Sequence, residues 1–187
     1  MTGVFKNRTF RFVAGFLLVY GLLYSFNNLW LGLTIPGGYY NAWVAQNADY
    51  ISALRNFILS GSSTLLEWFG YDTYVHGHYM RIIGGKAIRM VYSCIGLNII
   101  FAWWAFNIAF PMALKRKLVY LLSGTVLIIL LNMVRIALVA LSPYEGNFMN
   151  TSLDHHTVFN FVVYGLIILA IFRIINQNTR TGADKAG

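Results

Sequence analysis

The sequence predicts an all-α integral membrane helical bundle: about four transmembrane helices, an interfacial amphipathic helix and a short β-hairpin on the extracytoplasmic side. Three observations predict it. Of the 187 residues, 58% are hydrophobic and only 11% are charged, whereas average soluble domains carry about 25% charged residues. So few charges cannot cover a surface in water. Several apolar runs also reach the roughly 20 residues that cross a bilayer. Finally, the formal charge of +8, from 14 Lys+Arg against 6 Asp+Glu, is placed beside those runs, as topology anchors facing anionic lipid are. Membrane lipid is therefore an expected partner. Nucleic acid is not, because no basic stripe or RNA-binding motif accompanies the charge.

The elements follow in order. Lys6, Arg8 and Arg11 precede an apolar run to about Thr34. This run is too long for a signal peptide and no small-residue cleavage site follows it, so it reads as a first span with its N-terminus inside. Residues 35–50 are turn-rich and aromatic, as an interfacial loop is. In 51–69, Ile51, Leu54, Ile58, Leu65, Leu66 and Phe69 form a helical stripe interrupted by Arg55, Glu67 and a Ser-Gly-Ser-Ser run. This segment either spans or lies along the surface. In 70–93, Gly84-Gly85 separates two short runs, 79–83 and 87–92, which signals a hairpin. Residues 94–114 read as a second span, followed by Lys115-Arg116-Lys117. Residues 118–141 read as a third, interrupted by Asn132 and Arg135. After a polar loop, 157–175 read as the last, ended by Arg173. A single transmembrane domain, 1–175, is thus expected to end in a disordered cytoplasmic tail, 176–187.

The basic N-terminus, the Lys115–Lys117 cluster and the basic tail all belong on the cytoplasmic side. Termini on one side require an even number of spans. Four satisfy this, and 51–69 then does not cross. On that topology Cys94 opens the second span at its outer end, ahead of which Ser93 is a suitable N-cap. His155 and His156 open the last span at the same level. Arg135 lies seven residues before Ser142, about 10 Å of helix below the outer end.

Arg135 is the sharpest signal, because an arginine in the apolar part of a span costs roughly 2.5–3.5 kcal/mol on insertion scales and such residues face the bundle interior. The bland alternative is a side chain snorkelling to the headgroups. Asn132, three residues earlier, shares its helix face. Cys94 is the one cysteine, so no intrachain disulfide or multi-cysteine metal site exists. Alone, it reads more readily as packing than as a nucleophile, and its convergence with the His pair and Arg135 reverses that order. A helix start and a nearby cation favour its thiolate. The His pair reads either as helix-capping loop residues or as the base for such a nucleophile. His76 and His78, in an extended strand, would point to one side, but two such ligands without a local carboxylate or Cys do not make a metal site. No metal and no cofactor is expected.

A cysteine, then Asn-x-x-Arg, then a histidine, each at the outer end of its own span, resembles the exosortase/archaeosortase family. Cys94-Ile95-Gly96-Leu97 resembles that family's C-S-G-L, with Ile95 in place of the Ser. Asn132-Met133-Val134-Arg135 resembles its N-x-x-R. His156 is followed by Asn160, where the family carries a first small residue such as Gly, and by Gly165. The resemblance covers about 70–172, including the extended stretch before Cys94; the chain is short for the family. It implies a membrane cysteine protease or transpeptidase in a bacterial inner membrane, with its active site on the extracytoplasmic side. Its substrate would be an exported protein with a C-terminal sorting signal made of a short motif, an apolar helix and a basic tail. Cys94 would be the nucleophile, His156 the base and acid, and Arg135 the stabiliser of the oxyanion or of the substrate backbone. Asn132, His155 and Asn160 would support them, and water, an amine or a glycan would accept the acyl group. His155 remains the alternative to His156, which the spacing favours. Two rival readings stand beside this one: a non-catalytic assembly subunit of an export or polysaccharide system, and a membrane acyl- or glycosyl-transferase using the His pair. A soluble nuclease is excluded by the spans.

Overall fold

The computed structural model describes residues 8–37, 39–85, 87–141, 165–166, 168–174 and 176. Helix α1 (Arg8–Thr34) is 27 residues long, which is about 40 Å of helix. Leu17, Leu18, Leu22 and Leu29 lie exposed along it. Such a face suits hydrocarbon and not water. Its other face meets the fourth helix edge-on, where Phe12 packs against Phe106 and Phe110 at ring separations of 5.8 and 5.9 Å.

The loop expected over 35–50 contains a short helix, α2 (Ala42–Asn47), because the Asn41 side chain accepts from the Trp43 and Val44 N–H groups and so caps it. Helix α3 (Tyr50–Trp68) covers the ambiguous segment and is capped by Asp49, which accepts from the Ser52 N–H. Its buried face is Ile51, Ile58, Leu59, Ser62 and Leu66. The expected stripe is shifted: Phe69 falls just beyond the helix and is exposed, while Ser62 is buried because its hydroxyl reaches the Met133 carbonyl at 2.9 Å. The Ser-Gly-Ser-Ser run is thus the surface by which α3 approaches its neighbour closely, and it does not break the helix.

A three-stranded antiparallel meander follows, β1 (Thr73–His76), β2 (Tyr79–Ile82) and β3 (Ile88–Arg89). The strand before the expected hairpin was not legible, because its turn is only Gly77-His78, with Gly77 at φ +56°, a conformation that favours glycine. His76 ends β1 and His78 lies in that turn, so the two imidazoles do not share one strand as expected. Met80 and Ile82 of β2 are buried while Tyr79 and Arg81 are exposed, the alternation of a half-buried strand.

The segment expected to span at 94–114 is shorter than predicted. A 3-10 turn, Tyr92–Cys94, precedes helix α4 (Leu97–Ala109), whose 13 residues reach about 20 Å against the roughly 30 Å of a hydrocarbon core. Two breakers set its limits. Gly96 is left-handed at φ +84°, and Phe110, ahead of Pro111, is extended at ψ 130°, as pre-proline residues prefer. Helix α5 (Leu114–Leu141) has 28 residues and takes the Lys115–Lys117 cluster into its first turn. Among the described residues, α1 and α5 are the two helices long and apolar enough to cross a membrane. The described positions of 165–176 are helical, and Ile174 is buried with Ile100, Trp103, Phe106 and Ile128. The expected tail beyond 176 lies outside the described residues.

Close helix approach rests on two glycines. A Cβ on Gly124 of α5 would collide with the Trp103 indole, whose Nε1 is fixed on the Tyr120 carbonyl at 3.1 Å. A Cβ on Gly61 of α3 would meet only the Met133 thioether, and methionine adapts where an indole cannot. Gly124→Ala is therefore expected to destabilise the bundle by about 1–3 kcal/mol, and Gly61→Ala by distinctly less. Thermal unfolding of both variants in detergent checks the order.

Candidate functional site

The single cysteine is presented by a turn and not by a helix end. From the end of β3 the chain buries Met90, extends through Val91 and closes the 3-10 turn with Cys94 N–H on the Val91 carbonyl at 2.9 Å. Ser93 is not the cap of the following helix. Gly96 occupies that position without a side-chain cap, and its carbonyl receives the Ile99 and Ile100 N–H groups at 3.1 and 3.2 Å. Because Gly96 is left-handed, the carbonyls of Cys94 and Ile95 are turned away from the helix and need donors elsewhere.

Asn132 of α5 supplies them. Its Nδ2 donates to the Cys94 and Ile95 carbonyl oxygens, each at 2.9 Å. A Cβ on residue 96 would lie 3.5 Å from that same nitrogen. The glycine and the asparagine are thus one device: the first provides the backbone conformation, and the second satisfies the two groups it exposes.

One helical turn further along α5, Arg135 points to the same place. Its Nη2 lies 3.9 Å from the Cys94 sulfur, and the residue is 7% exposed. It faces the bundle interior, so the snorkelling alternative is not the arrangement adopted. Cys94 is buried and belongs to an apolar cluster that also holds Ile51, Ile95, Leu97, Met133 and Ile136. In such surroundings a guanidinium beside the sulfur can stabilise an oxyanion formed next to it.

Sequence reasoning missed Asn27. It is fully buried, and it is the one buried residue of α1. The Tyr50 hydroxyl donates to its Oδ1 at 2.7 Å, and its Nδ2 donates to the Tyr92 hydroxyl. Burial, then the neighbouring Tyr92 and Asp49, push the Tyr50 phenol up to about 12, so it keeps the proton it donates. Tyr92 is two residues before Cys94. The cysteine turn is thereby tied to α1 and α3 on one side as Asn132 ties it to α5 on the other. The available signal was the same as for Arg135: a strongly polar side chain in the middle of a long apolar run.

The structure brings Cys94, Asn132 and Arg135 together. His155, His156 and Asn160 lie outside the described residues. Among the described residues no three His, Cys, Asp or Glu side chains gather as a metal site would require. His78 instead lies against the Arg55 guanidinium.

Compared with known proteins, the chain matches the sequence profile of the family described as "Transmembrane exosortase" over residues 6–173. No curated protein sequence and no solved structure matches it.

The turn's two anchors give a direct prediction. Asn132→Asp replaces a two-hydrogen donor with an acceptor facing two carbonyls, and Asn27→Leu strips two half-buried hydroxyls of their partner. Each is expected to destabilise the protein by about 1–3 kcal/mol and to raise the rate at which Cys94 is alkylated by a small maleimide, since the turn loosens. Unfolding midpoints and alkylation rates of the purified variants test both.

Proposed function

Because this chain belongs to the transmembrane exosortase family and so is integral to the membrane, we propose that it is a cysteine protease or transpeptidase that cleaves C-terminal sorting signals of exported proteins. The observation that carries the reading is the buried Arg135 guanidinium 3.9 Å from the only thiol in the chain. A packed, inert cysteine does not call for a buried cation, which is costly in an apolar bundle.

In the proposed mechanism His156 takes the thiol proton and the Cys94 sulfur attacks the scissile carbonyl carbon. Arg135 stabilises the resulting oxyanion. Collapse breaks the C–N bond, the leaving amine takes the proton back from His156, and a thioester remains on Cys94. Water then releases an acid, or an amine or glycan acceptor takes the acyl group. Asn132 positions the nucleophile's backbone; His155 and Asn160 are assigned supporting roles. The site faces the extracytoplasmic side of a bacterial inner membrane in this reading. The substrate's apolar helix lies against the bundle and delivers the bond to Cys94.

Processing of a secreted reporter carrying a short motif, an apolar helix and a basic tail tests the reading. Cys94→Ala is expected to abolish processing, His156→Ala to lower it about 10²–10⁴-fold, and Arg135→Lys to retain more activity than Arg135→Ala, with all variants present in the membrane at normal abundance. Normal processing by Cys94→Ala would overturn the cysteine mechanism and favour a non-catalytic assembly role. Loss confined to the His variants would favour an acyl- or glycosyl-transferase.

A further inference from the structure

A second polar site lies beside the cysteine turn, at the end of the first span. A cavity of about 450 Å³ is bounded by Leu31, Thr34 and Ile35 at the end of α1, by Asp49 and Arg55 of the α3 cap and helix, and by His78 and Arg89 of the sheet. Its charge pattern is unbalanced. Arg55 and Arg89 are close enough to repel each other and to act together on His78. Arg55 Nε is buried with no hydrogen-bond partner among the described residues. Asp49, the acidic group facing them, already gives Oδ1 to the Ser52 N–H as the cap of α3. Two guanidinium groups are thus held together around a cavity with one carboxylate that is partly engaged. An anion placed between them removes the repulsion, and guanidinium groups match phosphate oxygens in shape and charge.

The depth of the cavity identifies the anion's source. Helix α1 is an exposed apolar helix long enough to span, and it ends at Thr34. Residues 34–36 therefore sit where hydrocarbon gives way to headgroups. The cavity is apolar on the α1 side, where Leu31 and Ile35 line it, and cationic on the α3 and sheet side. This is the polarity of a phospholipid lying along α1 with its headgroup turned inward. We propose that this cavity is a phospholipid site, with the phosphate diester held between Arg55 and Arg89 and the acyl chains against the outer end of α1. A lipid there braces the α1–α3 junction through which Asn27 and Tyr50 hold the cysteine turn.

The test needs no peptidase activity, so it stands or falls separately from the proposed reaction. The full chain, delipidated in a maltoside detergent, is titrated with dioleoylphosphatidylglycerol and followed by thermal unfolding. The expected result is a saturable rise in Tm for the wild type and at least a tenfold weaker apparent affinity for Arg89→Gln, whose exposed site leaves the fold intact. Arg55→Lys, which keeps the charge and loses the fork, falls between the two. Dioleoylglycerol, with the same chains and no phosphate, is expected to give no shift, and inorganic phosphate none at millimolar concentration. A second readout is the His78 imidazole by NMR. Burial, and then Arg55 and Arg89, hold it below its ordinary value against the opposing effect of Asp49, and bound phosphate should bring it back up. Equal shifts with dioleoylglycerol, equal affinity in wild type and Arg89→Gln, or saturation by inorganic phosphate or by a blocked acidic peptide in place of lipid would each overturn the proposal.

Discussion

One side-chain amide holds the centre of this molecule. The Asn132 NH₂ group donates to two successive carbonyls, Cys94 and Ile95, which a left-handed Gly96 has turned out of the chain. Buried carbonyls without donors are costly. The 3-10 turn is therefore held against α5 in one register. Shifting α5 by a residue would remove the donor from the carbonyls and carry the Arg135 guanidinium away from the sulfur.

The rest of the bundle keeps that register. Gly124 lets α4 lie close enough for the Trp103 indole to reach the Tyr120 carbonyl of α5. Ser62 on α3 reaches the Met133 carbonyl, one residue from Asn132. These contacts use small residues and short hydroxyl side chains, the usual means of bringing helix backbones close where lipid offers no hydrophobic drive. The meander adds a floor: Met80 and Ile82 of β2 and Met90 just after β3 bury into the same cluster as Cys94. The sulfur and the guanidinium thus sit at a seam between a helical layer and a small sheet. The second apolar cluster, around Trp103 and Phe106, packs α4 against α5 and the described part of 165–176.

The chain belongs to the transmembrane exosortase family, and two of its sequence motifs meet at this seam. The motif elements Cys-x-Gly-Leu and Asn-x-x-Arg are not two independent signatures. Each supplies what the other lacks: Gly96 exposes the carbonyls that Asn132 satisfies, and Cys94 presents the sulfur that Arg135 approaches. Ile95, which stands where the family resemblance places a serine, is buried at 1% exposure, so in this chain that position contributes packing and a backbone carbonyl.

What the sequence alone determined was which segments are apolar and which polar side chains interrupt them. That made α1, α5, Cys94, Asn132 and Arg135 legible, because a polar group in a run of hydrocarbon side chains is conspicuous without any coordinates. The true length of α4 was readable in part, from Gly96 and Pro111, but its apolar composition outweighed those breakers. Which groups meet was decided only by tertiary structure. Asn132 is 38 residues from Cys94, Arg135 is 41 residues from it, and Asn27 is 65 from Tyr92. Periodicity describes one helix at a time. It cannot say which faces of different helices are pressed together, and that pairing turns three isolated polar side chains into one buried site.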